Sequence, residues 1–505
     1  MLASIASATV RGVEGFAVTV EVHVAAGLPG FTVVGQPDAA CRESRDRVRA
    51  AVMSCGLVWP QQRITVNLAP SGVRKSGGGL DLAMAVGVLV ASGQISTDAV
   101  RERAFLGELG LDGALRSLAG VLPMVSAIEA PEVVVPSGNF AEAEVAGRHR
   151  VRCAGGLGAV VEALRCEAPW PRPPDSVAAP APATGVDLAD VSGQFVARRA
   201  LEIAAAGGHH LLMIGPPGGG KTMLAERLPT LLGPLDPAAA LRATGIHSAG
   251  GMSLSGGGLI TQRPFRAPHH SSSLVSIIGG GTSAMRPGEV SLASEGVLFL
   301  DELGEFPASV LDALRQPLEQ GVVRVARANH TVELPARVLL VAAMNPCPCG
   351  FAPSPLCRCS ESSLNRYRRR VSGPILDRLD LRIVVHPPTR EELLDAPGGE
   401  SSAAVASRVT AARQRADERN VSTNSQLSAS ALERFAPFDP GARRLVERVL
   451  DSGRLSARGL ARLRSVALTI DDLAGGDGLL GETAVAEALL LRAEVDLLHH
   501  LRGVA

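Results

Sequence analysis

The chain has 505 residues, 46% of them apolar and only 3% aromatic, with 50 basic side chains balanced by 50 acidic ones. At roughly 100–200 residues per domain, this length predicts about three domains with substantial cores. A net charge of zero argues neither for nor against nucleic acid, so any such contact must come from a local patch.

The opening stretch Met1 to Ser7 lacks a charged segment followed by a long apolar run, and the apolar stretch Leu80–Ala91 is interrupted by Asp81 and too short for a bilayer. The expectation is a cytoplasmic chain with no membrane partner, whose eight cysteines form no disulfide framework.

Residues 1–165 alternate strand-like runs (Ala17–Val24, Arg63–Asn67) with a helix around Leu80–Ala91. Cys41, Cys55, Cys153 and Cys166 read as small core residues. Arg42, Arg45, Arg47 and Arg49, interleaved with Glu43 and Asp46, read as a solvated helix face. Residues 166–185 are dense in proline and form an extended linker.

Residues 186–390 alternate buried strands with helical patterns. The strands are His209–Ile214, Val297–Leu300, Val338–Met344 and Leu381–Val385. A helix over Lys221–Leu228 stops before Pro229. This alternation predicts an α/β domain, a parallel sheet with helices on both faces. Over 391–505 only amphipathic helical stretches remain (Ala442–Leu450, Ala457–Leu473, Thr483–Leu498), which predicts a helical C-terminal domain.

The strongest motif is Gly215-Pro216-Pro217-Gly218-Gly219-Gly220-Lys221-Thr222, set between a predicted strand and a predicted helix. Glycines let the backbone N–H groups turn toward phosphate oxygens, and the helix N-terminus favours an anion. Lys221 is placed to reach the β and γ phosphates of ATP and Thr222 to hold Mg²⁺. Downstream, Val297–Leu300 delivers Asp301 and Glu302 to the edge of the sheet where ligands bind. Asp301 suits the Mg²⁺ shell and Glu302 the polarisation of the attacking water. Asn345 ends a further strand and fits either a γ-phosphate contact or a plain turn before Pro346.

Cys347, Cys349, Cys357 and Cys359 form two C-x-C pairs, a pattern that fits a structural tetrahedral Zn²⁺ site or four free thiols in a loop. A metal-tied loop there would hold Asn345 and the basic segment Arg366–Arg370 in fixed relation. Val322–Leu334 reads as a β-hairpin with its turn near Ala328-Asn329. Arg324, Arg327 and His330 would cluster toward the tip, as a DNA-backbone contact or as an ordinary solvated hairpin. His269 and His270 read as structural or as pore-loop support, because adjacent side chains diverge and spacing shows no carboxylate partner.

The order of phosphate loop, Asp-Glu strand end, strand-terminal Asn and helical lid resembles an AAA+ ATPase. Three stretches narrow this: Arg263 to His270 (RPFRAPHH), Ser372 to Leu381 (SGPILDRLDL) and Leu28 to Asp38 (LPGFTVVGQPD). They resemble the magnesium-chelatase-like ATPases of the ComM (YifB) family over essentially the whole chain.

That resemblance implies that Arg378 is an arginine finger acting on a neighbouring subunit's ATP; a salt bridge to Asp377 or Asp380 is the plain alternative. It implies that Arg458 is the sensor-2 arginine of the lid, with Arg462 and Arg464 as competitors. The hairpin, and a second insertion over Ser276–Glu289, would face the pore of a homo-hexameric ring.

Pro70 to Ala83 resembles the active-site region of a Lon protease domain. Gly79 stands where the nucleophile belongs, and Ser71 and Ser76 are out of register with Lys75, so a Lon-like α+β domain without peptidase activity is implied. The activity implied is ATP-driven remodelling of single-stranded or branched DNA during recombination of incoming DNA. A chelatase-type motor for porphyrin metallation and an ATP-dependent protease are the rivals.

Overall fold

The computed structural model describes the chain except residues 73, 74, 76, 175–184, 253, 255–257, 282–284, 328, 329, 353, 372, 395–397, 454 and 493–505. Ser76, most of the proline linker, the hairpin turn Ala328-Asn329, Ser372 and the end of the last expected helix lie outside the described residues.

The N-terminal domain opens with a hairpin of β1 (Leu2–Arg11) and β2 (Glu14–Ala25), in register from Leu2 opposite His23 to Arg11 opposite Glu14. β3 (Gly30–Val34), β4 (Arg63–Ala69), β5 (Arg103–Phe105), β8 (Glu132–Pro136) and β9 (Arg150–Ala154) complete a sheet ordered β3-β4-β2-β1-β5-β8-β9. Between β5 and β8 a small hairpin forms from β6 (Glu108–Leu109) and β7 (Leu115–Arg116). Alternation of apolar and polar residues in β2 and β4 buries Val18, Val20, Val22, Ile64, Val66 and Leu68 on one face.

Helix Asp81–Ala91 lies on that face and is buried along its whole length, so its near-continuous apolar run marks a core helix. Helix Ala39–Ser54 packs beside it. Its arginines are not uniformly solvated: Arg47 turns inward to Asp81.

The second domain is built on β10 (Leu211–Ile214), β11 (Phe265–Arg266), β14 (Val297–Leu300), β17 (Leu339–Met344) and β18 (Leu381–Val384). They form a parallel sheet ordered β11-β14-β17-β10-β18. Every residue of β10, β14 and β17 is buried, which is why these strands read as unbroken apolar runs. β10 has β17 on one side and β18 on the other, so its C-terminal end lies at a topological switch point. Two short ribbons lie outside this sheet: β12 (Gly279–Gly280) with β13 (Arg286–Pro287), and β15 (Val322–Arg327) with β16 (His330–Pro335).

Helix Lys221–Leu231 continues through Pro229 instead of stopping before it. The proline falls in the last turn, so the one N–H-to-carbonyl bond it removes, to Ala225, lies at the end of the helix, which stops two residues later. Helices Ser402–Glu418, Ala429–Phe435, Pro440–Asp451, Ala457–Ala474 and Glu482–Leu490 form the C-terminal domain. Its Leu463 and Val466 share one core with Leu211 and Leu381 of the sheet, so the helical domain is seated on the α/β domain.

The N-terminal domain touches the second through Gly120 N–H, which donates to the Ser248 carbonyl at 2.8 Å. Ser248 also hydrogen-bonds Glu142. Gly12, in the β1–β2 turn, lies against Val332 and Leu334 of β16. Of the scattered cysteines, Cys41 and Cys153 are buried, Cys55 is half-buried, and Cys166 is exposed, contrary to the core reading. Among the described residues no helix is long and apolar enough to cross a membrane.

Candidate active site: a phosphate loop facing two carboxylates

β10 ends at Ile214, and the loop that follows crosses directly over β18. A Cβ on Gly215 would stand 2.1 Å from the Val385 carbonyl oxygen, so only glycine fits there. Gly220, at φ +81°, caps the helix that begins at Lys221. The Lys221 ammonium is buried and donates to the carbonyls of Gly215 and Pro216 at 2.8 and 2.9 Å and to Asn345 Oδ1 at 3.3 Å. Burial lowers its pKa, while Asp301 and Glu302 oppose that shift. These acceptors fix the ammonium inside the curl of the glycine loop.

Thr222 Oγ1 donates to Asp301 Oδ2 at 2.8 Å. The two side chains expected to share Mg²⁺ therefore meet, although they are far apart in sequence. An alcohol and a carboxylate on adjacent elements fit the hard oxygen preference of that ion. Glu302 follows with φ +53°, the left-handed region, and its N–H donates to Asp301 Oδ1 at 2.9 Å. This turn carries the Glu302 carboxylate outward, half-exposed, beside the phosphate loop.

His270 Nδ1 lies 2.9 Å from Glu302 Oε2. This corrects the sequence expectation that the histidine pair has no carboxylate partner. The two rings do not diverge either, their centroids being 4.1 Å apart. The missing signal was strand order: β11 runs parallel to β14, with Phe265 opposite Val297 and Arg266 opposite Leu298, so both strands deliver their next residues to one edge. His270 is thereby a positioning residue for the carboxylate expected to act on water.

Asn345 is brought to Lys221, and its own carbonyl accepts from the Tyr367 hydroxyl at 3.1 Å. Gln194, which the sequence did not single out, has φ +52° and donates its amide to the carbonyls of Gly219 (3.3 Å) and His386 (2.6 Å).

Arg378 is buried and engages Glu319 and the Arg315 carbonyl (3.3 Å), so neither Asp377 nor Asp380 is the partner named by the plain alternative. Asp380 instead pairs with Arg462 and approaches His209. Arg464 lies over the Phe438 ring at 4.5 Å. Arg458 is exposed near the start of its helix.

Cys347, Cys349, Cys357 and Cys359 converge, their Sγ atoms all within 4.8 Å of one another. In the β15–β16 hairpin, Arg324 is three register pairs from the tip pair Arg327–His330 and is bound to Glu333 at 2.7 Å. Its charge is therefore compensated across the strands, which the expected cationic cluster did not include.

A parallel sheet with a phosphate loop at its switch point, two carboxylates at the next strand end and a helical lid defines an AAA+-type nucleotide-binding protein. Comparison with known families narrows the class. Residues 187–393 match the family described as "Magnesium chelatase, subunit ChlI", residues 20–139 "Subunit ChlI of Mg-chelatase", and residues 399–492 "Magnesium chelatase, subunit ChlI C-terminal". The chain is 42% identical over 511 residues to competence protein ComM of Haemophilus influenzae, covering 100% of both chains. It is 44% identical over 493 residues to an uncharacterised Mycobacterium tuberculosis protein, covering 96% of this chain and 97% of that one. It is 41% identical over 502 residues to YifB of Escherichia coli, covering 97% of each. The chain belongs to the ComM (YifB) family of magnesium-chelatase-like proteins, a membership that implies an ATPase using ATP and Mg²⁺.

Proposed function

We propose that this protein is an ATP-driven DNA-remodelling motor, of helicase or branch-migration type, that acts on single-stranded or branched DNA in recombination of incoming DNA. The observation that carries the reading is its full-length likeness to a protein named for competence. The β15–β16 hairpin supports it, since it immediately precedes β17 and sets Arg327 opposite His330 in its last register pair.

In this reading Gly215–Thr222 cradles the phosphates and Lys221 neutralises them. Thr222 and Asp301 hold Mg²⁺, Glu302 orients the attacking water, and Asn345 senses the γ-phosphate. Arg378 leaves Glu319 to reach the ATP of a neighbouring subunit in a homo-hexameric ring, and Arg458 closes over the nucleotide from the lid. Arg324, Arg327 and His330 track the DNA backbone, with Arg324 exchanging Glu333 for phosphate. The N-terminal domain is Lon-like and without peptidase activity, Gly79 taking the place of a nucleophile.

The test is ATP hydrolysis with and without forked or single-stranded DNA, alongside strand displacement. Stimulation with displacement is expected, and its loss in Arg324→Ala/Arg327→Ala with basal hydrolysis retained. No DNA effect in a ring-forming preparation overturns the reading.

A further inference from the structure

The four clustered cysteines bring their Sγ atoms within 4.8 Å of one another. The Sγ separations are 3.3 Å for Cys347–Cys349, 3.8 Å for Cys347–Cys357 and 3.6 Å for Cys349–Cys357. Four sulfurs at about 2.3 Å around a tetrahedral Zn²⁺ stand about 3.8 Å apart. The Ala352 N–H donates to Cys347 Sγ at 3.3 Å, the kind of backbone support that steadies a bound thiolate. All four donors come from the protein, so the site leaves no position open for a reacting ligand.

The loop these sulfurs tie reaches the nucleotide site at three places. Gly350, at φ +83°, lies so close to Pro217 of the phosphate loop that a Cβ would stand 2.5 Å from its Cδ and 2.8 Å from its Cγ. Upstream, Cys347 is two residues past Asn345, whose side chain accepts from Lys221. Downstream, helix Glu361–Arg370 begins two residues past Cys359 and carries Tyr367. The Tyr367 hydroxyl donates to the Asn345 carbonyl, and its ring fills the space a Cβ on Gly304 would need, two residues past Glu302. Burial and the nearby Glu305 hold the Tyr367 phenol above its ordinary pKa, so it stays a donor.

We propose that Cys347, Cys349, Cys357 and Cys359 hold a structural Zn²⁺ and that the knuckle so formed is a strut for the ATP site, bracing Pro217, Asn345 and the turn after Glu302. A nucleic-acid finger would turn its tied loop outward, whereas this one turns Gly350 against the phosphate loop. The strut role rests on the reading that Gly215–Thr222 binds ATP. It does not rest on DNA, which is left out of the test.

The experiment uses the full chain. Metal analysis should give about one zinc per chain, and Co²⁺ exchanged into the site should show a thiolate-to-cobalt charge-transfer band. Cys357→Ser/Cys359→Ser should lose both. Zinc well below half a mole per chain with no cobalt band overturns the metal site.

Gly350→Ala keeps the four sulfurs and presses a methyl on Pro217. It should retain zinc, weaken binding of a fluorescent ATP analogue and raise KM about tenfold, the cost of an overpacked contact. Tyr367→Phe should retain zinc and KM while kcat falls about fivefold, the size of one buried hydrogen bond. Should Gly350→Ala not fold, zinc stripping of the folded wild type by a thiol reagent and chelator replaces it, read by the same analogue. Unchanged nucleotide affinity in the zinc-retaining variant or the stripped protein overturns the strut. Wild type that binds no ATP analogue overturns the strut and the ATP reading together, and the metal count then stands alone.

Discussion

Gly215–Thr222 and Pro70–Leu80 share a sequence pattern. Each follows a strand of its sheet, β10 or β4, each is rich in glycine and contains a lysine, and each hands the chain to a helix. They differ in what satisfies their charges. Lys75 is fully buried and donates to the Pro70 carbonyl, and the Gly77 N–H is taken by Asp38 Oδ2 at 3.1 Å.

The helix that follows opens on Asp81, an internal carboxylate held by Arg47 at 2.7 and 3.2 Å and by the Leu109 N–H at 3.3 Å. The anion that a helix N-terminus attracts is already part of the chain. At the other turn Lys221 donates to three neutral oxygens, and the carboxylates Asp301 and Glu302 across from it are met by Thr222 and His270 and, among the described residues, by no buried cation of the Arg47 kind. What separates the two turns is the carboxylate: at Pro70–Leu80 it is buried and paired with an arginine inside the domain, and at Gly215–Thr222 it is half-exposed at the sheet edge.

The largest expected effect tests that contrast directly. Lys221→Ala should lower kcat/KM for ATP by about 100-fold or more, as loss of a preorganised cation on the transferring phosphate does. Lys75→Met should leave hydrolysis within about twofold, because its ammonium serves only the fold. Equal losses in the two variants would show that the turns are not functionally distinct.

Next in size is the structural ion pair that closes the N-terminal turn. Arg47→Ala leaves the Asp81 carboxylate buried without its cation, which should cost about 3 kcal/mol in denaturant unfolding. Burial already raises the Asp81 pKa and Arg47 holds it down, so the same variant should regain stability as the pH falls and that carboxyl protonates. ATP hydrolysis by the folded variant should match wild type.

A smaller effect is expected at the contact between His270 and Glu302. His270→Ala should lower kcat about fivefold with KM unchanged, the scale of one hydrogen bond that orients a reacting group. His270→Gln, which keeps a donor, should recover part of the loss. A change in KM instead would place His270 in substrate binding.

The parts of this site that were legible in the sequence are those that one segment defines. Gly215–Thr222, Asp301-Glu302 and the cysteine pairs each carry their pattern within a few residues, and apolar runs marked the buried strands. Contacts that depend on strand order or on how loops dock were not legible. His270 reaches Glu302 because β11 adjoins β14, Arg378 finds Glu319 across two helices, and Gly350 meets Pro217 because a loop folds back over the phosphate loop. Pro229 misled because proline usually ends a helix at the residue before it, whereas here the helix runs two residues further.

The smallest expected effect concerns the base of β10, which sets the phosphate loop. His210 precedes β10 and joins it to both neighbours: its Nδ1 accepts from the Leu340 N–H at 3.1 Å and its carbonyl from the Leu381 N–H at 3.0 Å. An Nδ1 that accepts must be unprotonated. Burial lowers the His210 pKa from 6.5 to about 4, with Asp380 opposing and Arg462 and His209 reinforcing the shift.

The folded value lies below the unfolded one, so the unfolded chain takes up the proton first. The stabilisation is present above the unfolded pKa, begins to fail as the pH drops below it, and is gone once the folded pKa is passed. Between about pH 7 and pH 6 the loss should be about 0.7 kcal/mol, growing toward pH 4. His210→Asn keeps an acceptor for Leu340 and has no proton to gain, so its unfolding free energy should fall less steeply over that range. Parallel curves for the two proteins would mean that His210 titrates alike folded and unfolded, and that the strand under the phosphate loop is not held by a neutral imidazole.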